Sequence, residues 1–138
     1  MYLSPEIEGT LHESLLHYYK ALEDGDLSAL SSLMHRESYF VMLHSLGFKR
    51  VFRDENFKTL LTNMHADVSA LQKVVSALHT DLLQEDRRYK IEISSYEPKG
   101  ADRVTVHYLE DGHTKKMYFE KSEETWKINF KAGRSKVS

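Results

Sequence analysis

Cysteine is absent from the 138 residues. That removes disulfides, thiolate metal ligands, cysteine nucleophiles and thiol redox chemistry, and it fits a reducing compartment. Proline occurs twice and glycine six times, so no Pro- or Gly-rich linker divides the chain. It reads as one domain over residues 1–131 with a polar tail over 132–138. No apolar run approaches the roughly 20 residues that a membrane span needs. The start, MYLSPEIEGTLHESL, lacks the basic and apolar regions of a signal peptide. The expectation is a cytoplasmic protein that does not enter membranes. An excess of one charge is missing too: the net charge is −2, and the basic residues are scattered among acids. Nucleic-acid binding would want a continuous basic stripe, so no nucleic-acid partner is expected.

What is present is an amphipathic pattern that changes period along the chain. Ser4-Pro5-Glu6 has the residue types of a helix start: a capping hydroxyl, a proline at the first helical position and an acid near the positive end of the macrodipole. Ile7, Leu11, Leu15, Tyr18 and Leu22 continue it at helical spacing. Three carboxylates, Glu23, Asp24 and Asp26, then surround Gly25. A calcium loop needs oxygens at alternating positions over about a dozen residues with a closing glutamate. Ser28, Leu30 and Ser32 follow instead. The spacing predicts a stop and a start: Gly25 ends the first helix in a left-handed conformation, and Asp26 caps the second.

The segment SYFVMLHS (38–45) is aromatic and β-branched enough to predict a strand, followed by a turn at SLG. FKRVF (48–52) reads as its hairpin partner or as loop. Asp54 is placed to cap a further helix, and Asp67 caps or continues into a long one carrying Val68, Leu71, Val74, Val75, Leu78 and Leu82. Beyond residue 88 the period drops to two. RYKIEISSYEP, RVTVHYLE, TKKMYFEK and TWKINFK predict four strands, with Asp111-Gly112 as a tight hairpin turn and Glu123-Glu124 as the next. The fold class is therefore α+β, with N-terminal helices packed on a curved, mainly antiparallel sheet.

The order of these elements, the run YYKALEDGDLSALSSLM (18–34) and the closing DGHTKKMYFEKSEETWKINF (111–130) resemble the cystatin-like cone fold of the nuclear-transport-factor-2-like, or SnoaL-like, superfamily. The long helix over 65–88 departs from its smaller members. The resemblance implies a ligand pocket inside the cone, between sheet and helices, and a homodimer formed through the exposed sheet face. Tyr18, His35, Tyr39 and His44 are the candidate pocket residues. Tyr96, His107, Leu109 and Tyr118 are the candidate interface, with His107 expected beside Tyr118.

A versatile fold does not set a function. Eight histidines are present, but no HExxH pattern occurs. His65 and His79 share a helix side only about four turns apart, too far for one ion. No metal and no cofactor is expected. The favoured reading is a homodimeric domain that binds a small apolar or aromatic ligand. The alternatives are a general acid–base enzyme of isomerase or dehydratase type, using His35, His44 or Tyr18, and a non-catalytic interaction module. An isomerase-like site also wants an aspartate on a strand, and none stands at such a position: Asp54 reads as a cap, Asp102 and Asp111 as turn residues.

Overall fold

The computed structural model describes residues 3–133. The element order is α1 (Pro5–Asp24), α2 (Leu27–Leu33), α3 (Arg36–Val51), α4 (Glu55–Asn63), α5 (Val68–Glu85), β1 (Ile91–Pro98), β2 (Arg103–Glu110), β3 (His113–Ser122), β4 (Thr125–Ile128) and a 3-10 turn, Phe130–Gly133. Five helices pack on one face of a four-stranded antiparallel meander of order β1-β2-β3-β4. The α+β class holds.

The helix ends follow the expected chemistry. Ser4 Oγ accepts from Ile7 N, and Asp26, Asp54 and Asp67 each accept from the first turn of the helix they precede. Gly25 ends α1 at φ +68°, and its amide closes onto the carbonyls of Ala21 and Leu22. The acidic cluster is thus a junction. Glu23 adds a tertiary bond: its carboxylate accepts from Tyr89 N at 2.7 Å, which ties α1 to the chain entering β1.

Residues 38–45 are not a strand. They lie inside α3, which runs through the expected turn at Leu46-Gly47 and through the expected hairpin partner to Val51. Tyr39, Met42, Leu43 and Leu46 recur at helical spacing and face the core. The one β-branched residue of the segment, Val41, points outward at 53% exposure. A window of eight residues was too short to show the 3.6 period that continues beyond it. Gly47 is where α4 crosses α3: a Cβ there would lie 2.8 Å from Phe57 Cε2.

An isolated bridge, Met34 to Ile128, extends the sheet towards the helices. His35 N donates to Ile128 O at 2.8 Å, and Ser38 Oγ accepts from Phe130 N at 2.9 Å. These bonds anchor the start of α3 to the sheet edge. The last strand is shorter than TWKINFK suggested: it stops at Ile128, and Phe130–Gly133 close a 3-10 turn. Of the expected polar tail, residues 132 and 133 belong to that turn, and 134–138 lie outside the described residues.

The space between helices and sheet is occupied by Leu11, Leu15, Leu30, Met34, Val106, Phe119 and Ile128, each at most 2% exposed. No helix among the described residues is long and apolar enough to cross a membrane.

Candidate functional site

The four residues marked for one pocket lie in four separate surroundings. Tyr18 is buried in α1, its ring edge-on to Tyr19 at 5.1 Å. Burial pushes its phenol well above the usual tyrosine range, and the neighbouring Tyr108 adds to the shift. It belongs to an aromatic cluster under the sheet, in which Tyr19 and Tyr108 meet hydroxyl to hydroxyl. His35 precedes α3 without a side-chain cap bond. It lines a polar groove of about 300 Å³ with Arg36, Glu120, Lys127 and Asn129.

Tyr39 and His44 share α3 but point differently. Tyr39 is 8% exposed and lines a groove of about 570 Å³ between α2 and α5. Its pKa is raised, by burial first and by the charge of Asp26 second. His44 is exposed and meets His65 from the α4–α5 turn, Nε2 to Nε2 at 3.0 Å. His65 in turn lies on the Phe40 ring at 4.4 Å, and the Arg36 guanidinium stands 4.9 Å from the same ring. Tyr18, His35 and His44 therefore do not converge on one acid–base site.

The α2–α5 groove has the character of a small-molecule site. Val68, Leu71 and Val75 of α5 and the Tyr39 ring supply apolar walls. Ser28, Ser31, Gln72 and Ser76 supply uncharged hydrogen-bonding groups. A second hollow, of about 450 Å³, continues it past Ser28, Val75 and Ser76 to His79, Gly25 and the carboxylate of Asp26. At that end the imidazole Nδ1–H of His79 donates to the Gly25 carbonyl at 2.8 Å. The junction glycine is thereby held against α5, and a Cβ on it would sit 2.9 Å from His79 Nδ1. The volumes fall in the range of about 300–1,000 Å³ that ligand pockets occupy.

The outer face of the sheet is polar rather than aromatic. A register shift between Ile93 and Ser95 adds one residue to β1. It turns Tyr96 from the expected outer face to the inner one, opposite Val106 and against the core. The two-residue Asp111-Gly112 turn pairs Glu110 with His113, so His107 faces Lys116 and not Tyr118. Tyr118 stands opposite Thr105. His107 instead donates from Nε2 to Glu97 Oε1 at 2.8 Å, and that bond leads the lowering of the Glu97 pKa. Arg103, Glu120 and Asn129 form a second polar chain on this face, through bonds of 2.9 and 3.1 Å. Leu109 and Tyr118 are half-buried among these groups.

Among the described residues no three or more His, Asp or Glu side chains converge as a metal site. Sequence reasoning missed His65 as the partner of His44, because nothing in their spacing of 21 residues shows the contact. It also missed the groove wall. Val68, Leu71 and Val75, at intervals of three and four on the flank of α5, carry a signal for it once α5 is drawn as a helix. The chain matches no family model, no curated protein and no solved structure in the comparisons made with each.

Proposed function

We propose that this chain is a binding module that holds an uncharged apolar or aromatic molecule in the groove between α2 and α5. The carrying observation is the lining of that groove: a tyrosine ring and three aliphatic side chains interspersed with hydroxyl and amide groups, with no ionised side chain among them. Such a lining favours a flat or aliphatic body with one or two hydrogen-bonding groups and disfavours anions and cations alike. The ligand position differs from the interior expected of a cone, which is filled by Leu11, Leu15, Met34 and Phe119. Kinship with the cone-fold superfamily remains a separate proposal. The helix pair over 18–34 and the closing hairpin support it, and the helix at 36–51 counts against it.

The binding reading stands ahead of acid–base catalysis because Tyr18, His35 and His44 occupy different surroundings. The test is a titration with Nile red, a neutral aromatic probe that brightens in apolar surroundings. Saturable binding at one site is expected. Ser76→Trp, at an exposed position lining both hollows, fills the groove and should weaken it by more than about tenfold, the scale of losing one well-packed contact. Unsaturable binding, or equal affinity in the variant, overturns the proposal.

A further inference from the structure

We propose that the outward face of α3 is a self-association surface, on which two copies of this chain pack antiparallel about Ser45. The inference goes beyond the ligand reading and stands without it. It also places the contact away from the sheet face.

Three apolar side chains, two of α3 and one of its C-cap residue Phe52, have no partner within the chain's core. Val41 is 53% exposed, Phe48 63% and Phe52 78%. Their spacing of seven and four residues puts them on one stripe, with Ser45 between. The opposite side of α3, through Tyr39, Leu43 and Gly47, is already buried. The two phenylalanine rings stand edge to face at 5.1 Å and 86°, so they present one continuous apolar ridge. At typical ring areas the pair leaves about 300 Å² of aromatic surface in water. Contributed twice, and with Val41, His44, Ser45 and Lys49 around it, that area reaches the roughly 1,000 Å² that a specific interface needs.

The occupant follows from the asymmetry of the stripe. Its C-terminal half is bulky, with Phe48 and Phe52; its N-terminal half is small, with Val41 and Ser45. In an antiparallel pair crossing at Ser45, the bulky half of each helix lies over the small half of the other. A parallel pair would set phenylalanine against phenylalanine and leave the small half unfilled. The helix dipole runs the same way. Side-chain charge adds little, because Glu37 stands beside Arg36 and pairs with Lys131, while Arg53 pairs with Asp81. Antiparallel docking opposes the helix macrodipoles. A two-fold axis makes one patch serve both copies.

Sedimentation equilibrium of the full chain from micromolar to near-millimolar concentration tests this. A monomer–dimer equilibrium is expected for the wild type. Phe48→Ser and Phe52→Glu, both at exposed positions, should raise the dissociation constant by more than about tenfold while the helical circular dichroism is retained. The chain has no cysteine, so single-thiol variants give a clean second readout. Ser45→Cys should cross-link to a covalent dimer on mild oxidation, and Ser31→Cys, exposed on α2, should not. A wild type that stays monomeric throughout overturns the proposal. So does a dimer whose constant is unchanged by both phenylalanine substitutions, or cross-linking through Ser31→Cys as efficient as through Ser45→Cys.

Discussion

His44 and His65 share a single proton position: their Nε2 atoms stand 3.0 Å apart, so one ring donates and the other must accept. The His44 pKa is lowered, by burial first and by the charge of His65 second. A base whose folded pKa lies below its unfolded value stabilises the fold fully above the unfolded pKa, about 6.5. That contribution is lost as pH falls from there through the folded value. The stability difference between wild type and His44→Gln should therefore shrink as pH is lowered from 7.5 to about 5. Thermal melts of both proteins across that range measure it, and NMR titration should place His44 below an ordinary histidine. A difference that stays constant with pH would remove the shared-proton account.

Tyr19 and Tyr108 join α1 to the sheet through hydroxyls 2.5 Å apart, and both residues are buried. Tyr19→Phe leaves the Tyr108 hydroxyl without that partner, at a cost of about 1–2 kcal/mol. Adding Tyr108→Phe removes the orphaned group. The double variant should then be more stable than the sum of the single losses implies, by at least about 0.5 kcal/mol. Urea denaturation of the four proteins reads the coupling directly, and strict additivity would mean the hydroxyls act independently.

Gly47 allows α4 to cross α3. A Cβ at this position meets Phe57 Cε2 at 2.8 Å, and Phe57 is 1% exposed, so its ring has nowhere to retreat. Helix propensity favours valine over glycine by only about 0.5 kcal/mol, whereas overpacking costs about 1–3 kcal/mol. Gly47→Val should destabilise the domain by roughly 0.5–2.5 kcal/mol net, measured as a lower denaturation midpoint with an unchanged slope.

The β3–β4 turn runs the opposite way. Glu123 and Glu124 hold φ of +51° and +68°, a conformation that L side chains adopt at a penalty. Asn-Gly suits such a two-residue turn. Replacing the pair by Asn-Gly should stabilise by about 1–2 kcal/mol. The variant forfeits the Lys121–Glu124 ion pair, in which the Glu124 side chain is 91% exposed, and an exposed pair contributes little. A higher melting temperature is the expected reading.

The sequence carried the α+β class, the capping of α1, α2, α4 and α5, and both tight turns. Each rests on neighbours a few residues apart, where propensity and hydrogen bonding act locally. The misreadings share a different cause. Residues 39–43 are apolar at every position, so alternation and helical spacing both fit until the longer run to Val51 is counted. The bulge at Ser94 leaves no mark in the residue types, yet it moves Tyr96 to the other face of the sheet.

The candidate sites were less legible than the fold because they are made of distances between elements. By itself, the sequence determined which segments are helical or extended at their capped ends, and that EDGD is a junction and not a ligand set. Only the tertiary structure decided that His44 meets His65, that Tyr39 lines a groove between α2 and α5, and that Phe48 and Phe52 stay in water. Those outcomes depend on how helices cross. Crossing is set by packing at single points such as Gly47 against Phe57, which no local pattern encodes.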